Sequence, residues 1–132
     1  MSGLRVLVVD DDRLCRQTTR QQLVAAGYGA EAADGAAAAL VLLEAQAWDV
    51  VLTDLRMPRV DGVALMREIK KAFPSVDVIL MTAHGTVESA VAAMQEGADD
   101  YLTKPFRFQE LDVRLRRLAE ARATRAQLSR LR

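Results

Sequence analysis

The chain ends three largely apolar runs and one short mixed segment with side chains that can handle phosphate and a divalent cation. Asp10-Asp11-Asp12 follows Leu4–Val9, Asp54 follows Trp48–Thr53, Thr82 follows Val76–Met81, and Lys104 follows Asp99–Thr103. If these runs are parallel strands of one open sheet, all four sites lie at its carboxyl rim, where such sheets do their chemistry. Carboxylates gathered there repel one another, and they either hold protons more tightly or recruit a cation. Hard oxygen ligands with few nitrogens or sulfurs nearby suit Mg²⁺, which keeps several waters and takes only one or two carboxylates. A metal beside a nucleophilic aspartate neutralises an incoming phosphoryl group. The Lys104 ammonium can bind the remaining oxygens of that group, and Thr82 can donate a hydrogen bond to it. These residue types suit the movement of phosphate onto an aspartate.

The elements that must position them can be read from the intervening sequence. Leu4–Val9 is apolar and rich in β-branched residues apart from Arg5, is bounded by Gly3 and the acids, and predicts a buried strand. Asp12 is placed to cap a helix over 13–26, with Leu14, Thr18, Leu23 and Val24 near one face and Gly27 and Gly29 ending it. Residues 29–33 are a weaker strand candidate, because Ala and Glu carry little β preference. Asp34 is the expected cap of an alanine-rich helix over 35–45. Trp48–Thr53 predicts the next buried strand, followed by a loop through Pro58 and a helix over 62–72 capped by Asp61. Pro74 separates that helix from the strand Val76–Met81. Thr86 is the expected cap of a helix over 87–96, closed by Gly97, and 99–103 predicts a short fifth strand.

From Arg107 onward the chain predicts one helix of about 37 Å at ~1.5 Å per residue, about twice what a sheet of this size needs. Leu111, Leu115 and Leu118 can face the domain. Leu118, Ala121, Arg125 and Leu128 follow a spacing that could begin a coiled coil, with an arginine in its seam. Five strands alternating with five helices predict a doubly wound parallel sheet with right-handed crossovers.

A chain of 132 residues, 51% apolar and 27% charged, fits one globular domain. Its apolar runs are too short to cross a bilayer and no basic-then-apolar leader precedes Leu4. Cys15 is the single cysteine, so no internal disulfide is possible and a cytoplasmic setting is expected. Cys15 is expected to pack on the first helix, and Met57, Met66, Met81 and Met94 to fill core or loop gaps. The formal net charge of zero conceals an asymmetry. Residues 1–105 carry 10 Lys+Arg against 15 Asp+Glu, whereas residues 106–132 carry 8 against 3. The basic part lacks interleaved aromatics and its arginines spread around the helix, so a solvated helix is expected rather than a nucleic-acid contact.

Val8-Val9-Asp10-Asp11, Thr53-Asp54-Leu55-Arg56-Met57-Pro58, Asp61-Gly62, Met81-Thr82-Ala83 and Thr103-Lys104-Pro105-Phe106 occur in a telling order and spacing. With them, residues 3–120 closely resemble the receiver domain of bacterial two-component response regulators. The stretches 82–88 and 97–102 look most like receivers attached to sigma-54-dependent (NtrC-type) transcription activators. The resemblance implies a flavodoxin-like fold: a five-stranded parallel sheet of order 2-1-3-4-5 with five helices, the last one extended. It implies Asp54 as the phosphoacceptor, phosphorylated by a partner sensor histidine kinase. Asp11 and Asp54 would bind Mg²⁺ directly, with the backbone carbonyl of Arg56 as a third protein ligand and Asp10 assisting, partly through water. Lys104 would contact the phosphoryl group, next to a cis Lys104–Pro105 bond. Thr82 and Tyr101 would be the switch residues, and Arg56 and His84 would tune loss of the phosphoryl group.

The resemblance also implies no enzyme activity beyond the domain's own phosphoryl transfer and slow autodephosphorylation. Phosphorylation would change the surface of the fourth helix, fifth strand and fifth helix. An output domain in cis, a downstream protein or a homodimer partner would read that surface, and the expected output is transcription. Neither a membrane nor a direct nucleic-acid contact by this domain is implied. The expected organisation is a receiver over 1–120 and an extended helix or linker over 121–132 leading toward an output domain. New bonds from Lys104 and Thr82 to phosphate suffice energetically, because moving a population from 1:99 to 99:1 takes about 5.5 kcal/mol.

Two other readings compete. Asp10 and Asp12 offer the Asp-x-Asp of haloacid-dehalogenase-like phosphatases, but the chain is short for that core, Asp99-Asp100 precedes Lys104, and Asp54 would have no role. A receiver-like module that binds partners without phosphorylation would not need the complete set of site residues. Taken singly, Asp10 and Asp11 could be a turn, Thr82 a strand end, Lys104 a solvated lysine, Tyr101 a strand aromatic and His84 a loop residue.

Overall fold

Five strands alternate with five helices in the computed structural model, which describes residues 3–57, 59, 61–83 and 87–130. In chain order they are β1 (Arg5–Val9), α1 (Arg13–Ala25), β2 (Gly29–Ala33), α2 (Ala36–Ala45), β3 (Val50–Asp54), α3 (Gly62–Ala72), β4 (Asp77–Thr82), α4 (Val87–Gln95), β5 (Asp100–Thr103) and α5 (Phe108–Arg130). Every strand pair is parallel and the sheet order is β2-β1-β3-β4-β5, as the flavodoxin-like reading requires. The register sets Val9 beside Thr53, Asp54 beside Met81, and Thr82 beside Thr103. The carboxyl ends of four strands therefore share one rim.

Strand alternation sorts the interior into two cores. Leu7, Val9, Val51, Val78 and Leu80 pack with Ala39 and Leu43 of α2, Leu65, Met66 and Ile69 of α3, and Ala93 of α4. Val6, Val8, Leu52, Ile79 and Met81 pack on the other face with Leu23 of α1 and Leu111 and Leu115 of α5. A strand covered on both faces reads as an unbroken apolar run rather than an alternating one, which is why these segments were legible. Burying a leucine such as Leu111 or Leu115 contributes roughly 1.5–3 kcal/mol.

Asp12 and Asp61 cap their helices as expected, accepting from the backbone N–H of Leu14 and Ala64. The cap expected at Asp34 is corrected: Gly35 is the N-cap of α2, with no side-chain bond, and the helix begins one residue later. The buried face of α1 is corrected too. Thr19 and Leu23 are buried, whereas Leu14 (75% exposed), Thr18 and Val24 face solvent. Successive helical residues turn by about 100°, so choosing Thr18 over Thr19 rotates the whole face. Met94 is exposed rather than packed, while Met57, Met66 and Met81 are buried. No described helix is long and apolar enough to cross a membrane.

Candidate functional site: an acidic cluster and a lysine at the carboxyl rim

Asp54 is the last residue of β3, and the ladder runs one residue past it through Leu55 N–H to the Met81 carbonyl at 2.7 Å. The chain then turns and returns at Gly62, whose N–H donates to the Leu55 carbonyl at 2.8 Å. A Cβ on Gly62 would collide with the Asp54 carbonyl oxygen and lie 2.9 Å from Leu55 Cα. Only a residue without a side chain lets α3 start this close to the backbone that presents Asp54. The sequence reading noted Asp61-Gly62 as a motif but missed this reason; a glycine directly after a helix cap was the available signal.

Asp10, just past the end of β1, is fully buried and is held at four atoms. Its N–H donates to the Ala33 carbonyl at 3.1 Å, and its own carbonyl accepts from Arg16 Nη1 at 3.0 Å. Oδ1 accepts from Asp12 N–H at 2.9 Å, and Oδ2 accepts from Lys104 Nζ at 2.6 Å. A buried carboxylate survives only with such partners. Arg16, which pins the peptide between Asp10 and Asp11, was not anticipated.

Lys104 follows β5, with its N–H bonded to the Thr82 carbonyl at 2.7 Å and a cis peptide to Pro105. Its Nζ also reaches Asp54 Oδ2 at 2.9 Å, so one ammonium bridges two strands' acids. Burial works against the charged form. Hydrogen bonds and charge from Asp10 and Asp54 outweigh it, and the Lys104 pKa stands above its ordinary value.

Asp10, Asp11 and Asp54 each offer a carboxylate oxygen, all within 4.8 Å of one another. Among the described residues Lys104 pairs with Asp10 and Asp54 and not with Asp11, so the three carboxylates outnumber the ammonium and the cluster keeps excess negative charge. Hard oxygens, partial exposure at Asp54 and exposure at Asp11, and a cluster made of carboxylates alone among the described residues fit a magnesium-type cation. Arg56 lies directly above, its N–H donating to Asp54 Oδ1 at 3.2 Å. Thr82 is buried at the end of β4 on the same rim, and Tyr101 is half-buried in β5 against the core. The fold thus brings together Asp10, Asp11, Asp54, Thr82 and Lys104. Pro58, His84 and Thr86 lie outside the described residues.

Asp12 spends its carboxylate on the α1 cap, so Asp10 and Asp12 do not form the paired acids of the phosphatase reading. Cys15 sits half-buried on α1, where burial first and then Asp10 push its thiol up to about 11. That makes it an unreactive packing residue.

A parallel sheet of order β2-β1-β3-β4-β5 thus carries clustered acids and a bridging lysine at its carboxyl rim. The model of the response regulator receiver domain matches residues 6–116, and the chain belongs to that family. It is 40% identical over 115 residues to the response regulator MprA of Mycolicibacterium vanbaalenii, across 87% of this chain and 50% of that protein. The response regulator MprA of Mycobacterium avium is 38% identical over the same length. The chain spans about half the length of the curated relatives it matches. Among solved structures, NtrX from Brucella abortus superposes with a TM-score of 0.91 at 33% identity, covering 98% of this chain and 30% of that one. A response regulator receiver domain protein from Clostridium thermocellum gives 0.84 at 32%, covering 92% and 98%. The chain is a receiver domain of two-component signalling.

Proposed function

We propose that this domain is a phosphorylation-driven switch whose acceptor is Asp54. The observation that carries the reading is the contact of one ammonium, Lys104 Nζ, with carboxylates from two strands, at 2.6 Å from Asp10 and 2.9 Å from Asp54. An Asp54 carboxylate oxygen forms a bond to phosphorus while the phosphorus–nitrogen bond of a kinase phosphohistidine breaks, and the histidine, already protonated on its other ring nitrogen, keeps the bonding pair and leaves as the neutral imidazole. Asp11 and Asp54, with Asp10 and the Arg56 carbonyl in support, would hold Mg²⁺, which would supply charge neutralisation for the incoming group.

The chain's own residues do the rest. Asp10, locked at four atoms, holds Lys104 at the rim, and Lys104 exchanges its bond to Asp54 for bonds to phosphoryl oxygens. Thr82 donates to the same group, and Tyr101 follows into the space behind it. That trade biases two packings of α4, β5 and α5, whose surface a kinase-controlled output reads, in cis or in a separate protein. His84 and Arg56 control access of water to the aspartyl phosphate. Transcription is the output that fits best, since the matched relatives are response regulators twice as long.

Incubation with Mg²⁺ and acetyl phosphate should add the mass of one phosphoryl group, and Asp54→Asn should abolish the gain. If Asp54→Asn is labelled at the wild-type rate, the assignment is wrong. If wild type takes no label with acetyl phosphate or a phosphorylated kinase, the domain works as an unphosphorylated interaction module.

A further inference from the structure

The arginines of α5 are not merely solvated. Arg122, four turns into the helix, folds back onto the amino rim of the sheet, opposite the acidic site. Its Nη1 donates to the carbonyls of Ser75 at 2.9 Å and Asp49 at 3.2 Å, and to Asp77 Oδ2 at 3.1 Å. Its Nη2 donates to Asp49 Oδ1 at 3.1 Å. Asp77, first residue of β4, is only 4% exposed, and Arg125 adds a second cation at 3.7 Å. Asp49 is fixed in turn, accepting from Arg5 N–H at 2.8 Å. A planar five-donor fork suits this cluster of acceptors, and a lysine would satisfy only part of it.

From these contacts we infer that Arg122, with Asp49 and Asp77, is the fixed anchor of α5. It makes the helix an integral part of the receiver as far as Arg125, and it sets the point from which the remaining turn leaves the domain. The two strands it grips carry the site at their other ends: β3 runs from beside Asp49 to Asp54, and β4 from Asp77 to Thr82. Nearer the site, Arg114 Nε donates to the Tyr101 carbonyl at 2.8 Å and lies 3.5 Å from Asp100. The helix is therefore held at β5 by Arg114 and at β3 and β4 by Arg122. Displacement of the β5 end swings the free end about the Arg122 contact. The expected domain boundary at 120 falls inside this anchored stretch, and the seam Leu118–Ala121–Arg125–Leu128 has its arginine turned toward Asp77 rather than toward a second helix. The swing, though not the anchor, rests on the phosphoacceptor reading.

The test is amide hydrogen exchange on the whole chain, comparing wild type with Arg122→Gln and with Arg122→Gln/Asp77→Asn. The double variant removes the buried unpaired charge and keeps the comparison open if the single one fails to fold. Protection of amides 118–126 should fall at least tenfold in the double variant, with 108–115 unchanged. Wild-type protection throughout would overturn the anchor. With beryllofluoride and Mg²⁺, wild type should respond both at 82–104 and at 119–130, and the double variant only at 82–104. Propagation to 119–130 without the clamp would overturn the swing. No response at 82–104 in wild type would sink the phosphoacceptor reading and the swing together, while the unliganded exchange still decides the anchor.

Discussion

The two rims of the sheet use the same acid differently. At the carboxyl rim Asp10, Asp11 and Asp54 cluster around an ammonium, Lys104, that pairs with Asp10 and Asp54, and at the amino rim Asp49 and Asp77 face Arg122 with Arg125 close by. The first set is short of positive charge and partly open, an environment that favours an added cation. The second is balanced, and its guanidinium fills several acceptors at once, so it does mechanical work. The choice of base follows the job. Lysine is a point charge that can trade partners, whereas arginine is a fork that holds them. An imbalance of charge around buried acids, more than their number, separates a ligand site from a structural joint.

Breaking the balanced rim should have the largest effect on stability. Arg122→Gln leaves Asp77 buried with a weaker partner and should lower unfolding free energy by about 3 kcal/mol. Denaturant titration should show Arg122→Gln/Asp77→Asn recovering part of that loss, because the two substitutions remove one interaction. A loss in the double variant equal to the sum of the losses in Arg122→Gln and Asp77→Asn would show that Asp77 does not depend on Arg122. Gly62→Ala forces a methyl into the Asp54–Leu55 backbone and should cost about 2 kcal/mol. It should also slow labelling of Asp54 by acetyl phosphate, which a purely distant packing defect would leave alone.

Lys104→Met tests the unbalanced rim in the opposite direction. Without the ammonium the three acids repel more strongly, so Mg²⁺ should bind about tenfold tighter by calorimetric titration, equivalent to about 1.4 kcal/mol. The response to phosphorylation at 82–104 should be lost in the same variant. Weaker Mg²⁺ binding would mean that Lys104 positions the acids rather than competing with the cation.

The smallest effect concerns a second joint of α5, where the Tyr28 hydroxyl donates to Asp112. Burial, then the bond to Asp112 and its charge, push the Tyr28 phenol from 10.0 to about 12, with Arg116 opposing. The folded pKa lies above the unfolded one, so this contribution is complete below pH 10 and disappears as pH rises through about 12. Absorbance titration of Tyr101→Phe should place the tyrosinate midpoint near 12, and Asp112→Asn should bring it down. A midpoint of 10 with Asp112 intact would remove the joint.

Much of the carboxyl rim was legible because its logic is local. Each site residue stands at or just past the end of a segment that the sequence marks as a strand, and a parallel sheet with helical crossovers must put every such strand end on one side. Helix caps were legible where an acid stood at the right distance, as at Asp12 and Asp61. They were not at Asp34, because the choice between it and Gly35 depends on where the chain leaves β2. The buried side of α1 was misread because only Thr19 and Leu23 are covered, too few for a period to show.

The amino rim left no local trace. Arg122 lies 73 residues from Asp49 and 45 from Asp77, and in the sequence it is one basic residue among several on a helix that looked solvated. Gly62 belongs to the same class, since its need for a bare Cα arises from the approach of the end of β3, at Asp54 and Leu55. Residue type and order were enough to say which chemistry gathers at the sheet's carboxyl end, because strand polarity leaves it no other place. Which arginine is tied down, and how far the last helix belongs to the domain, were decided by packing, since only the folded chain brings distant charges within a few ångströms.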